Sequence, residues 1–243
     1  MKLKLAALFM ASVFLLAAAA QEAGDPAPFS RAVPGDEMPP GWKPLVIPRK
    51  APSRFSLVAD DGGVVLRAEA VATAGVLGYT LRHDPAARPL LAWRWKIDHV
   101  LDKADLGIKA GDDFAARVYV FFDVPIDTLS FGERAKMTLA KLIYGADLPT
   151  AALCYVWDNK HIAGTSVWSA YTSRVRTIVL QSGPEKTKQW ADETRDVADD
   201  FRKAFGYDAP AITGIAAGND TDQTRETAVA WFGDFSFKAK EAK

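Results

Sequence analysis

Six residues at strand spacing could build a surface that binds anions and sugars: Arg94 and Lys96, Arg117 and Tyr119, Arg174 and Arg176. Side chains alternate across a strand, so the members of each pair share a face. Guanidinium forks suit carboxylate, sulfate or phosphate groups. Aromatic rings offer flat apolar area with specific stacking geometry. If the strands that carry them are neighbours, the six combine with Tyr155 and Trp157 into a concave cationic and aromatic floor. An acidic glycan, a glycolipid headgroup or another small acidic ligand would fit such a floor. The plainer alternative is a solvated sheet face whose cations pair with Asp and Glu.

The opposite faces of these segments read as core. Leu91, Trp93, Trp95 and Ile97 align, as do Phe114, Ala116, Val118, Val120 and Phe122. A uniformly apolar face is usually buried, so Trp93 and Trp95 are expected in the core rather than as a sugar platform. In Leu153–Trp157 both faces are apolar, and the pattern does not tell which one points inward.

Catalytic chemistry has weaker candidates. Asp112 and Asp113 follow Gly111, and paired carboxylates can cleave glycosidic bonds when they flank the bond. Adjacent residues in an extended chain point to opposite faces, which argues against one shared site. A polysaccharide hydrolase or lyase would use Asp112 or Asp113 with Arg117 and Tyr171. Gly218-Asn219-Asp220-Thr221-Asp222 is an oxygen-rich loop. Asp220 and Asp222 are therefore the candidate ligands for calcium, which prefers several hard oxygen donors. The segment lacks the later glutamate and central glycine of an EF-hand loop. No other cofactor is expected. His83, His99 and His161 are isolated, and no zinc motif, Gly-x-Ser-x-Gly elbow or phosphate-binding loop occurs. Cys154, the only cysteine, lies in an apolar run and reads as buried and inert.

The elements that must position these residues are mostly strands. Nine candidates stand between turn signals: 54–58, 64–70, 77–82, 90–97, 114–122, 152–157, 172–181, 212–217 and 229–237. Asp60-Asp61-Gly62-Gly63 reads as the turn of a hairpin. Two helices are expected at 133–144, where Ala135, Leu139, Leu142 and Ile143 recur at helical spacing, and at 192–205, ended by Gly206. The sum is a mostly β, antiparallel two-sheet sandwich, jelly-roll-like, with two helical insertions.

The chain has 243 residues, 49% hydrophobic and 25% charged, with a formal charge of zero. No cluster of Lys and Arg stands out, so nucleic acid is not an expected partner. Residues 1–20 carry Lys2 and Lys4, an apolar run and a closing Ala18-Ala19-Ala20, the pattern of a secretory signal. The run is shorter than the roughly 20 residues a membrane span needs. The expected product is periplasmic or secreted, and peripheral to a membrane at most. Residues 21–40 are rich in proline and read as a linker, 41–238 as one sandwich domain and 239–243 as a tail.

The ordered strings Trp93-Arg94-Trp95-Lys96, Gly111-Asp112-Asp113-Phe114-Ala115-Ala116-Arg117, Tyr155-Val156-Trp157, Val179-Leu180-Gln181-Ser182-Gly183 and Ala230-Trp231-Phe232-Gly233-Asp234 resemble a bacterial family of exported proteins, domain-of-unknown-function family 3047. The resemblance runs from about residue 40 to 238. It implies a carbohydrate-binding-like jelly roll and assigns no catalytic residue. The expected function is a non-catalytic envelope protein that binds a saccharide or other polar ligand on one sheet face. A polysaccharide hydrolase or lyase, and a structural envelope partner, are the alternatives.

Overall fold

A computed structural model describes residues 24–45, 50–129, 131–135, 138 and 149–241. The stretch 1–20 and most of the candidate helix 133–144 lie outside the described residues. Among the described residues, no helix is long and apolar enough to cross a membrane.

Two sheets make a jelly-roll-like sandwich. The larger one has seven strands: β1 (Trp42–Leu45), β4 (Ala74–His83), β6 (Phe114–Phe122), β7 (Ala151–Asp158), β8 (Ser166–Ser169), β9 (Thr172–Ser182) and β11 (Ile212–Asp220). Their order across the sheet is β1-β4-β11-β6-β7-β9-β8. The smaller sheet has β2 (Arg54–Asp60), β3 (Gly63–Val71), β5 (Leu90–Ile97), β10 (Ala191–Asp196), β12 (Thr227–Phe232) and β13 (Ser236–Lys238). Its order is β10-β5-β12-β3-β2, with β13 paired to β5.

The turn between β2 and β3 holds Asp61 and Gly62 at φ 50° and 75°. Positive φ at both central positions suits a tight hairpin, and Asp60 pairs with Gly63 as the spacing predicts. The strands 90–97 and 114–122 form with the expected bounds. The expected strand 229–237 is two short ones, β12 and β13, both paired to β5. The pairing is antiparallel throughout except between β7 and β9, which run parallel. The antiparallel two-sheet sandwich expected from the sequence thus forms, with this one parallel pair as its exception. The chain leaves β7, forms β8, and turns back into β9 beside both.

The expected helix 192–205 is shorter than its pattern. Residues 191–196 pair with β5 as an edge strand, and only Val197–Phe205 is helical. Asp196 caps the start, accepting the Asp199 N–H at 3.0 Å, and Gly206 ends it in the left-handed region. This helix packs against β5, β7 and β10 and brings Phe201 into the core beside Phe122.

Between the sheets lies one large apolar cluster that includes Trp93, Trp95, Tyr155, Trp157, Phe122 and Phe232. Trp93 and Trp95 are almost fully buried, as expected. Leu153, Tyr155 and Trp157 point into this core, which settles the orientation of β7 and removes Tyr155 and Trp157 from any outer binding floor. The proline-rich segment read as a linker is tied to the sandwich: Phe29 is fully buried against Trp42, whose indole N–H donates to the Ala27 carbonyl at 2.8 Å.

A second apolar cluster covers the other side of the seven-stranded sheet. It joins Leu106, Phe114, Cys154, Val156 and Val179. Phe114 was expected on the core face with Ala116. The pairing of β6 with β11 shifts register between Gly218 and Asp220, so the extra residue puts Phe114 on the same side as Arg117.

Candidate functional site

The six cationic and aromatic candidates do not form one floor. They fall into three places.

The first is the outer face of the seven-stranded sheet, where Arg117 is only 6% exposed. Its guanidinium meets Asp220 at 2.6 Å, donates to the Tyr119 hydroxyl at 2.7 Å and to the Asp112 carbonyl at 3.2 Å, and lies 4.8 Å over the Phe114 ring. The Asp220 carboxylate also accepts the Phe114 N–H at 3.0 Å. Asp113 is fully buried and accepts the Thr224 N–H at 2.6 Å. Carboxylate oxygens of Asp113, Asp220 and Asp222 lie within 4.8 Å of one another. The Gln223 amide lies between these carboxylates and the Tyr171 hydroxyl, which donates to the Lys109 carbonyl at 3.1 Å.

Both the weak catalytic candidates and the calcium candidates therefore converge at the entry of β6. Asp113 and Asp220 are more than a hundred positions apart in sequence, so their meeting was not readable from local spacing. The electrostatics follow from burial. It pushes the Asp220 carboxyl up to about 7 against the pull of Arg117. It also raises Asp112, again opposed by Arg117. For Arg117 burial is the largest single influence and works against the charge, but Asp220 and the other acidic groups around it together outweigh it and the pKa is raised. Within this cluster Asp220 faces Arg117 and Asp222 faces Lys50. Oxygen donors for a hard cation are present, yet two of the three carboxylates are already matched by protein cations. Asp112 and Asp113 give their carbonyl and carboxylate to Arg117 and Thr224, respectively, which is a positioning arrangement.

The second place is the helix-covered edge of the seven-stranded sheet. Arg174 donates to the Thr150 carbonyl at 2.8 Å and lies 5.2 Å over the Phe205 ring. Arg176 donates to the Ser166 hydroxyl at 2.7 Å and carbonyl at 2.9 Å, and lies 5.0 Å over Trp168. These side chains share a strand face, as their spacing predicts, but it is the face opposite Val175, Thr177 and Val179, away from Arg117.

The third place is the outer face of the six-stranded sheet, and it is the open one. Arg94 lies 4.3 Å over the Trp190 ring. The Lys96 amine sits 5.0 Å from the Trp190 ring centre and 4.7 Å from that of Trp231, so it bridges the two indoles. Both tryptophans are half-buried, and the face they share carries Ser56, Arg67 and Glu69 beside Val58 and Val229. Asp61 pairs with Arg94 at 2.7 Å and Asp60 with Lys96 at 2.6 Å; Asp60 also accepts the Trp190 indole N–H at 3.2 Å. Gly233 is needed here, because a Cβ would come within 2.7 Å of the Arg94 side chain. Beside Arg94 runs a trough of about 390 Å³ lined by Ser30, Asp192, Thr194, Asp234 and Ser236. Sequence reasoning found Arg94 and Lys96 but missed Trp190 and Trp231. Trp231 was inside a recognised strand, at the position that alternation places opposite Ala230 and Phe232, and that signal was available.

No curated protein matches the chain. Among solved structures it is similar to the family 30 carbohydrate-binding module of a cellulosomal cellulase of Clostridium thermocellum, at 14% identity and TM-score 0.38, covering 90% of this chain and 96% of that one. It is also similar to the xyloglucanase domain of NopAA, a type three effector from Sinorhizobium fredii solved with cellobiose, at 10% identity and TM-score 0.43, covering 86% and 97%. A third is endoglucanase 3 of Trichoderma harzianum from family GH12, at 8% identity and TM-score 0.40, covering 77% and 84%. A family model described as "Protein of unknown function (DUF3047)" matches residues 40–236, and the chain belongs to that family.

Proposed function

We propose that this chain is an exported, non-catalytic protein that binds a saccharide on the outer face of its six-stranded sheet. The observation that carries the reading is the Trp190–Lys96–Trp231 bridge with Arg94 alongside. Two half-exposed indoles supply stacking area, and the cations between them fix their positions through cation–π contacts. The neighbouring trough supplies hydroxyl and carboxylate partners for sugar hydroxyls. Few converging polar groups beside an apolar surface is the usual composition of a small-ligand site. Export rests on residues 1–20, with Lys2 and Lys4 before the apolar run.

A glycan-array screen of the chain, repeated with Trp231→Ala and Trp190→Ala, tests the reading. Saturable binding to one glycan class, weakened at least about tenfold by Trp231→Ala, is the expected result; tenfold corresponds to about 1.4 kcal/mol. Equal binding by the parent and both folded variants would remove this face from consideration, and silence across the array would favour a structural envelope partner.

A further inference from the structure

A cavity of about 400 Å³ lies between β8 and β9 on one side and β10 and the Val197–Phe205 helix on the other. That volume falls within the roughly 300–1,000 Å³ of small-molecule sites. Exposed Ala163, Gly164 and Lys203 stand at its mouth, while Ile178, Leu180 and Ala204 form apolar wall.

Two arginines line it, and both are held rigidly. Arg176 is fixed by Ser166 and Trp168. Arg195 makes a two-pronged pair with Asp200, at 3.0 and 2.6 Å, and Asp200 in turn accepts the Tyr155 hydroxyl at 2.8 Å. In each arginine Nε and Nη2 are engaged, and Nη1 has no hydrogen-bond partner among the described residues. Holding a guanidinium in place beforehand reduces the ordering cost of binding. Asp200 is matched by Arg195 and Asp199 by Lys203, while the Glu193 carboxyl accepts from Gln181 and Trp95. Among the described residues Arg176 is thus the lining cation without a carboxylate partner.

We infer that this cavity binds a small hydroxylated carboxylate, a sugar acid in chemical class, with Arg176 and Arg195 holding the carboxylate. Ser166 and Glu193 are placed to meet hydroxyl groups. The site lies apart from Trp190 and Trp231, although β10 lines both it and the trough beside Arg94, and Trp231→Ala tells the two readings apart.

Calorimetric titration of the whole chain with D-glucuronate, beside D-glucose as the uncharged control, is the test. Saturable binding of glucuronate with none of glucose is expected. Arg176→Gln should weaken it at least about tenfold, Lys203→Glu several-fold, and Trp231→Ala not at all. Lys203 is exposed, so its variant keeps the test decisive if Arg176→Gln fails to fold. Absence of glucuronate binding, equal binding of glucose, or undiminished binding by both folded variants would each overturn the inference.

Discussion

On the outer face of the six-stranded sheet, Arg94 and Lys96 lie against indole rings, Arg94 partly exposed with Asp61 at the surface and Lys96 more covered with Asp60. On the outer face of the seven-stranded sheet, Arg117 lies over a phenylalanine ring with Asp220 at a similar distance, yet both are buried. The pairings are alike and the surroundings are opposite. In water a guanidinium–carboxylate pair adds little, because solvent already satisfies both ions. Out of water the same pair becomes obligatory, because either ion left alone has lost its hydration. The first face can exchange its partners for a ligand. The second holds the entry of β6 to the end of β11.

The sharpest way to break this contrast is to remove Arg117. Arg117→Ala leaves Asp220 buried without its cation, and a loss of about 3–5 kcal/mol is expected in urea unfolding. A loss under about 1 kcal/mol would show that the buried pair behaves like a surface pair.

The pH dependence of stability gives the next largest effect. Burial raises Asp220 from an ordinary 3.8 to about 7 in the folded protein. Between those values the folded state holds a proton that the unfolded state has released. Stability should therefore fall as pH rises through this window and level off above about 7. Asp112 and Glu193, also raised by burial, act in the same direction. Asp220→Asn should make the slope shallower, whatever it does to absolute stability. An unchanged slope in denaturation midpoints between pH 5 and 8 would assign the dependence elsewhere.

The smallest effect belongs to the open face. Arg94→Ala should change stability by less than about 1 kcal/mol. A loss near that of Arg117→Ala would mean that Arg94 is structural and that the face is not free to bind.

Much of the sandwich was legible because alternation is a local signal. The strands 90–97 and 114–122 declare their faces through residues such as Trp95 and Val118. What local alternation cannot tell is which sheet a strand joins. Arg94, Arg117 and Arg176 all sit at regular strand positions, and only pairing decides that they occupy three different places. β7 is apolar on both faces because both are covered, so its orientation was silent. The edge strand 191–196 merged with the helix after it because Asp196 ends one and caps the other. β8, four residues long, gave too short a pattern to register. The bulge opposite Gly218 reversed the side of Phe114 with no mark in β6 itself.

Cys154 sits across from Tyr119, inside the apolar layer next to Arg117. Burial pushes its thiol up to about 12, against the pull of Arg117, so at neutral pH it is protonated as well as enclosed. Thiol reagents attack the thiolate, which forms readily only when that layer parts and water enters. As the chain's only cysteine it has no competitor for the reagent. The rate of its alkylation is therefore a clock for the breathing of one sheet face, readable in the unmodified protein without any introduced label.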